Sequence, residues 1–257
     1  MAIQKSEAFV LKSLPFRTSS LLVTTFTRSF GKVKGVAKGV RKEGIPRPGT
    51  FEPFTLLEIV FYEKIRSEIH LISEASILES FNPLRSNLET LATAYYLAEL
   101  VDQVTQPHDP HEAIFDLLHF AFQFLPTLSP AFMVLFFETR LLHEAGLLPH
   151  LESCLGCGEK GLEKIYFSQK HGALFCSKCR HKSPGAKALN PGALEAIRRV
   201  VSESPSEAIR QSLDPGVEKE IGNLMEGFLS DRLGGRLRSR RFLNQVRSLK
   251  LRSVKIS

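Results

Sequence analysis

The sequence predicts an α+β protein with two domains: a small strand-built domain at residues 1–80 and a mainly helical domain at residues 81–257. Three observations predict this class. Short runs rich in β-branched and aromatic residues fill the first 80 positions, and helical periodicity of apolar residues begins near Phe81. All four cysteines lie between Cys154 and Cys179, which predicts a metal-binding insert at about residues 151–183.

Five strands are predicted in the first domain, at residues 8–11, 20–26, 32–40, 54–61 and 69–72. Turn residues such as Pro15, Gly31 and the glycine and proline loop at 44–49 separate them. Five short strands in so short a segment are typical of a small closed barrel, and the barrel of this size that most often binds oligonucleotides is the OB-fold. Segment 32–40 alternates cations or glycine with apolar residues, which predicts one buried face and one basic face.

Helix starts are predicted where a capping side chain directly precedes a proline. The five such pairs are Asp109-Pro110, Ser129-Pro130, Asn190-Pro191, Ser204-Pro205 and Asp214-Pro215. Gly146 and Gly234 are predicted to end the helices that begin at Pro130 and Pro215. The acidic residues of the helical region, such as Glu89, Glu99 and Asp102, are interpreted as solvated helix surface.

Composition and length exclude several classes of protein. The chain has 257 residues, of which 43% are hydrophobic and 24% charged, as in soluble globular proteins of two or three folded units. Its longest apolar stretches, such as 132–137, are far shorter than a membrane-spanning helix. The first residues lack the pattern of a secretory signal, so we expect a cytoplasmic, nucleoid-associated protein without membrane contact.

Charge is distributed unevenly along the chain. Residues 1–50 carry 10 basic and 2 acidic side chains, residues 51–150 carry 4 and 14, and residues 151–257 carry 20 and 11. A chain with two basic ends and an acidic middle presents positive surface in particular places. This pattern is expected of a protein that binds a polyanion.

The cysteines form two Cys-x-x-Cys pairs, Cys154 with Cys157 and Cys176 with Cys179. Their spacing matches a structural zinc site with four thiolate ligands, and the segment between them can form the hairpin that joins the pairs. Such a site leaves no open position for a catalytic water. His171 and His181 are interpreted as solvated loop residues. The alternative, two buried or oxidised cysteine pairs without a metal, stays open.

Two basic segments are candidate nucleic-acid contacts, because affinity for nucleic acid comes largely from cations that replace counterions on phosphates. The barrel segment supplies Lys32, Lys34, Lys38, Arg41, Lys42 and Arg47. The last segment, 232–257, has nine cations and no acid, and supplies Arg236, Arg238, Arg240 and Arg241. The alternatives are a solvated strand face for the first segment and a disordered tail for the second. The barrel phenylalanines are expected to fill the core for the most part rather than stack on bases.

Four motifs along the chain are distinctive: Ala8-Phe-Val-Leu11, Gly31-Lys-Val-Lys-Gly-Val-Ala-Lys-Gly-Val-Arg41, Phe51-Glu-Pro-Phe54 and Leu233-Gly-Gly-Arg-Leu-Arg-Ser-Arg240. Together they resemble the bacterial RecO family of recombination mediators in DNA repair, over essentially the whole chain. One difference is Glu52. The family usually has Gln-Pro-Phe here, with a neutral residue in place of this acid.

The resemblance implies an N-terminal OB-fold, a helical domain and one structural zinc ion. It also implies binding of single- and double-stranded DNA, annealing of complementary strands, and cooperation with RecR and single-stranded DNA-binding protein in loading RecA. The acidic, apolar C-terminal tail of that binding protein needs a receptor, and Arg140, flanked by Phe136 and Phe137, is the candidate for its carboxylate.

Other function classes are weighed against this one. The sequence has no phosphate-binding glycine loop, nucleophile elbow or His-Glu helix motif for a metal, so we expect no enzymatic activity. The main alternative is an RNA-binding module built from the same barrel and cysteine pairs, because OB-folds bind either polymer. A purely structural interaction protein would show no salt-sensitive affinity for nucleic acid.

Overall fold

The computed structural model of the chain describes residues 2–42, 45–46, 50–63, 67–210, 212–233 and 237–254. The chain forms two compact units, of which one comprises Met1–Thr127 with Arg238–Ser257 and the other Leu128–Leu237. The first unit therefore combines the strand region with the helical segment that directly follows it and with the C-terminal segment of the chain. The predicted domain boundary near residue 80 stays a prediction. None of the described helices is both long and apolar enough to cross a membrane.

The strands of the first unit form a closed barrel. In chain order they are β1 (Ala2–Phe16), β2 (Ser20–Thr27), β3 (Gly31–Ala37), β4 (Arg41–Lys42), β5 (Ile45–Pro46), β6 (Thr55–Glu63) and β7 (Ile69–Ser80). The barrel order is β1-β2-β3-β7-β6, and β1 pairs with β6 to close it. Among the described barrel strands, only β3 and β7 pair in parallel, while β4 and β5 form a separate two-residue ladder. The five predicted strands are confirmed, and β1 and β7 are longer than predicted.

The alternation predicted for segment 32–40 is confirmed along β3 and ends earlier than expected. Val33, Gly35 and Ala37 face the barrel interior, whereas Lys34 on the opposite face is exposed. A Cβ atom at Gly35 would lie 2.6 Å from Cγ1 of Ile72, so the strands approach too closely there for a side chain. The strand ends at Ala37, before Gly39, whose φ of +68° does not continue an extended strand.

The barrel core consists of small and β-branched side chains with a few large rings. Its buried members are Ala8, Val10, Val23, Val33, Ala37, Phe51, Leu57, Ile59, Phe61 and Ile72. Phe26 and Phe54 are also buried, and Phe16 and Phe30 are partly so. The prediction that most of the barrel phenylalanines fill the barrel interior is confirmed only for Phe51 and Phe61 and partly for Phe30. Phe26 and Phe54 instead contact Phe115 and Phe122 outside the barrel.

Three helices belong to the same unit: α1 (Leu88–Val104), α2 (Glu112–Phe124) and α7 (Arg238–Val254). Phe9 of β1 lies 4.8 Å from Phe115 and 5.7 Å from Phe122 of α2, measured between ring centroids. Apolar residues on the outer barrel surface thus pack against α2. This packing buries rings that a free barrel would expose to water.

The predicted helix start at Asp109-Pro110 is wrong, because α2 begins at Glu112. The preceding loop lies against the barrel: a Cβ atom at Gly31 would lie 2.4 Å from the carbonyl oxygen of Asp109. This contact holds the Asp109 backbone at β3 and away from the capping position. Gly31 also has a φ of +63°, so both its conformation and its surroundings require glycine.

The second unit contains four helices and a four-stranded sheet. They are α3 (Pro130–Glu144), β8 (His150–Cys154), β9 (Ile165–Ser168), β10 (Ala173–Cys176), β11 (Lys187–Leu189), α4 (Pro191–Ser202), α5 (Pro205–Ala208) and α6 (Pro215–Leu233), and the sheet order is β11-β9-β10-β8. The other four proline-based helix starts are confirmed. Gly146, with a φ of +66°, follows α3 as predicted, whereas Gly234 and most of the 44–49 loop lie outside the described residues.

Candidate metal centre and nucleic-acid surface

The four cysteines converge on one point in the second unit. Their Sγ atoms all lie within 4.8 Å of one another, and those of Cys157 and Cys176 are 3.8 Å apart. A tetrahedral Zn²⁺ ion with Zn–S bonds of about 2.3 Å would place its sulfurs about 3.8 Å apart. All four are free thiols rather than disulfides. The donor set and its spacing therefore fit a four-thiolate metal site.

The sheet brings the two cysteine pairs together. Cys154 ends β8 and Cys176 ends β10, and these strands pair in parallel. Strands β9 and β10 form the antiparallel hairpin predicted between the pairs. In the first pair, a Cβ atom at Gly156 would lie 2.7 Å from Cβ of Cys179, so a side chain there would push the pairs apart. We call residues 150–189, which contain both pairs, the cysteine module.

The thiols differ in how readily they ionise. Burial works to raise the pKa of Cys154, yet hydrogen bonds from the backbone N–H groups of Cys176 and Gly156 outweigh it and lower the pKa to about 6. Burial and the three neighbouring thiols raise the pKa of Cys179 to about 12. A bound divalent cation would offset the repulsion between neighbouring thiolates and let all four thiols ionise.

His171 and His181 are not among the four converging ligands. Nδ1 of His171 lies 3.0 Å from Oγ of Ser168 and 3.2 Å from Oγ of Ser183, and Nδ1 of His181 lies 2.8 Å from the carbonyl oxygen of Lys178. Both side chains are exposed, as predicted, although His181 lies in a turn of 3₁₀ helix rather than in a loop. His171 in addition belongs to a small hydrogen-bond network that supports the module.

The predicted cations of the barrel differ in their surroundings. Lys34 and Lys38 are exposed. Nζ of Lys32 lies 3.1 Å from Oδ1 of Asp102 on α1, and only 12% of this lysine side chain is exposed. Arg47 and the side chains of Arg41 and Lys42 lie outside the described residues. Of the six predicted barrel cations, Lys34 and Lys38 are therefore those that the described residues present to solvent.

The C-terminal arginines lie at the start of a folded helix rather than in a disordered tail. Helix α7 buries Leu243 and Val246, and Arg238 and Arg241 are exposed near its N-terminus. The guanidinium carbon of Arg240 lies 4.9 Å from the ring centroid of Tyr96. Apolar residues of the segment, such as Leu243 and Val246, are the signal in the sequence for such packing. Arg236 lies outside the described residues.

The interpretation of the α1 acids as solvated surface is wrong. The backbone N–H groups of Arg238 and Ser239 donate to the Glu99 carboxylate, at 3.2 and 2.8 Å, so this acid caps α7. Asp102 pairs with Lys32, and Oε1 of Glu89 lies 3.4 Å from Nε of Arg247. In the sequence, the acidic middle and the basic ends of the chain were the feature that could have indicated these interactions.

The candidate for the partner-tail site, Arg140, is buried in α3, with 9% of the residue exposed. Its guanidinium donates to the backbone carbonyl of Glu203, and burial lowers the pKa of Arg140. Its Nε atom has no hydrogen-bond partner among the described residues. Arg140 thus ties α3 to the end of α4, and its role toward a partner stays a prediction.

Replacing Arg140 with alanine is expected to lower the free energy of unfolding by about 2 kcal/mol, because a buried carbonyl loses a charged hydrogen-bond donor. Urea unfolding followed by circular dichroism measures this change. Arg199→Ala is the matched control, since the Arg199–Glu203 pair lies on the exposed side of α4, with 52% of the arginine side chain exposed. Equal loss of stability in the two variants would contradict the structural role of Arg140.

Comparison with known proteins matches both parts of the chain to one family. The model described as recombination protein O N terminal matches residues 1–81, and the one described as recombination protein O C terminal matches residues 85–241. A DNA repair protein RecO from Anaeromyxobacter sp. (strain K) is 32% identical over 94% of this chain and 96% of its own length. Proteins of the same name from Moorella thermoacetica and Bacillus pumilus are 31% and 28% identical, over 94% and 96% of this chain and 91% and 95% of their own lengths.

Proposed function

Because the chain belongs to the recombination protein O family of DNA repair proteins, we propose that it is a recombination mediator that works without catalysis. In this proposal it binds single- and double-stranded DNA in the cytoplasm and anneals complementary strands. It also helps RecR to load RecA on strands coated by single-stranded DNA-binding protein. The observation that carries the proposal is the family match across the whole chain, together with solvent-exposed cations on a barrel.

The barrel supports an OB-fold assignment. Without the short β4–β5 ladder, the five barrel strands are β1, β2, β3, β6 and β7 in chain order. In the barrel they lie in the order first, second, third, fifth, fourth, and the third and fifth pair in parallel. OB-folds bind oligonucleotides across the second and third strands and the adjoining loops. Here Lys34 lies on β3, and Lys38 lines a cleft of about 340 Å³ beside Phe51. A DNA strand laid along β3 would meet both ammonium groups.

A second contact is proposed at the N-terminus of α7. Arg238 and Arg241 are exposed there, and a guanidinium can bind a phosphate through two parallel hydrogen bonds. Two positive surfaces in one unit, on β3 and on α7, would each hold a strand. Their charge offsets the phosphate repulsion that slows pairing, so annealing needs no covalent step and no nucleotide cofactor.

The cysteine module is proposed to hold one zinc ion through Cys154, Cys157, Cys176 and Cys179. Zinc at such a site supplies folding energy and no reaction, since four thiolates complete its tetrahedral coordination. The protein contributes two parallel strand ends and backbone N–H groups that stabilise the Cys154 thiolate.

The proposed partners RecR, RecA and single-stranded DNA-binding protein rest on the family. For the acidic tail of the last of these, Arg140 is the proposed contact, supported by its unused Nε donor. A carboxylate that reaches this buried guanidinium would form a charged hydrogen bond in a site of low polarity.

The test is annealing of two complementary oligonucleotides that are fully coated by bacterial single-stranded DNA-binding protein. The wild-type chain is expected to anneal coated and bare strands, because it holds DNA on two positive surfaces and its partner through the tail. Fluorescence energy transfer between end-labelled strands measures the rate.

Annealing of bare strands alone would rule out the mediator role. Arg140→Lys keeps the charge and lacks the Nε donor, so it should slow annealing only on coated strands. If RNA of equal length competes for binding as well as DNA does, the RNA-binding alternative would be favoured.

A further inference from the structure

A compact group of cations lies on the second cysteine pair and its following turn. Lys178, Arg180 and Lys182 are all exposed, and the last two belong to a single turn of 3₁₀ helix, Arg180–Lys182. Cys176 and Cys179 fix the backbone of this turn, since N–H of Cys179 donates to the carbonyl of Cys176 at 3.1 Å. Three positive charges are therefore held on a rigid loop.

These cations lack the acidic partners found elsewhere in the chain. Arg28 binds three carboxylates, and Lys32 pairs with Asp102. Within the described ranges, neither Lys178 nor Arg180 forms an ion pair with a carboxylate. Unpaired cations held near one another are the groups that replace counterions on a polyphosphate with the largest gain.

The Arg180 side chain is positioned by an aromatic ring. Its guanidinium carbon lies 4.5 Å from the ring centroid of Tyr166 on β9. Contact with a ring face orients the planar guanidinium and leaves its N–H groups available at the edge, which suits two-point binding of a phosphate. Because the side chain is already ordered, binding loses less conformational entropy.

Lys182 has a different role in this group. Its Nζ donates to the carbonyl of Gly156 at 3.1 Å and so ties the second cysteine pair to the first. A substitution of Lys182 would therefore disturb the metal centre. Among the described residues, the side chains of Lys178 and Arg180 form no hydrogen bond with the first pair, so we expect their substitution to leave the pair intact.

We propose that Lys178 and Arg180 form an additional contact for the phosphate backbone of single-stranded nucleic acid, in the second compact unit. This inference rests on the proposed DNA-binding function and adds a site to it. It assigns the cysteine module a direct part in binding, beyond the folding role of its metal.

The experiment uses the full-length, zinc-loaded chain and a fluorescent oligo(dT), with affinity measured by anisotropy at several KCl concentrations. Lys178→Ala/Arg180→Ala is compared with Lys160→Ala/Lys164→Ala, which removes the same charge from exposed positions between the two cysteine pairs of the same module. The slope of log affinity against log salt is expected to fall by about 1.4 in the first variant, at about 0.7 for each lost phosphate contact. The second variant should retain the wild-type slope.

Equal slopes in the two variants, with a wild type that binds, would overturn this inference alone. Loss of zinc or of thermal stability in Lys178→Ala/Arg180→Ala would also overturn it, because the cations would then serve the metal centre. A wild type without salt-dependent binding would instead overturn the proposed DNA-binding function. Arg180→Lys keeps the charge and loses the planar contact with Tyr166, and we expect it to bind with intermediate affinity.

Discussion

Replacing Cys176 with serine is expected to abolish metal binding and unfold the cysteine module, while the barrel stays folded. The wild-type chain should contain one zinc ion. A structural zinc site contributes about 10–16 kcal/mol of apparent binding free energy, which is available only to the folded module. Hydrogen exchange measured by mass spectrometry should show fast exchange in β8, β9 and β10 of the variant and wild-type protection in β1 to β3.

Ser177→Ala is the matched control, since Ser177 is an exposed neighbour between the two ligands of the second pair. It should retain the zinc ion and the protection. A wild-type chain without zinc would rule out the metal assignment. If Cys176→Ser removed all DNA binding, the module would support more of the protein than its own hairpin.

Removing the exposed cations of both proposed DNA surfaces in the first unit is expected to weaken binding to every DNA sequence about equally. The variants are Lys34→Ala/Lys38→Ala on the barrel, Arg238→Ala/Arg241→Ala on α7, and their combination. For single-stranded DNA, each lost phosphate contact should reduce the slope of log affinity against log salt by about 0.7, so the combined variant should lose about 2.8. Anisotropy at several salt concentrations gives the slopes.

Lys5→Ala/Lys12→Ala serves as the control, since both lysines are exposed on β1, outside the two proposed surfaces. Lys32→Ala is informative in another way. Because Lys32 is paired with Asp102, its loss should change stability more than the salt dependence. A combined variant with the wild-type slope would mean that DNA binds elsewhere on the chain.

Local patterns in the sequence predicted most of the elements. Period-2 alternation marked β3, and runs of β-branched and aromatic residues marked the other barrel strands. Capping residues before proline marked four helix starts to the residue, at Pro130, Pro191, Pro205 and Pro215. These signals act within a few residues, through sterics and backbone hydrogen bonds, so they can be read without the rest of the chain. The four cysteines were equally readable, because their spacing alone limits the ligand geometry.

Contacts between distant segments were not readable in this way. Asp109 precedes a proline as a capping residue does, yet its backbone lies against Gly31 and the helix begins at Glu112. Arg140 has the neighbours of a surface-binding residue, yet its guanidinium donates to the carbonyl of Glu203 at the end of α4. In both cases the deciding contact comes from a residue far away in sequence.

The sequence by itself determined which residues carry charge, where most of the barrel strands and helix starts lie, and which four side chains can hold a metal. Only the tertiary structure decided which cations remain for a ligand. On α1, Asp102 pairs with Lys32, and Glu99 caps the first turn of α7. Lys34, Lys38, Arg238 and Arg241 stay exposed. The physical reason is that a charge loses much of its attraction for phosphate once it pairs with a carboxylate, and that pairing depends on packing between segments about 70 to 140 residues apart.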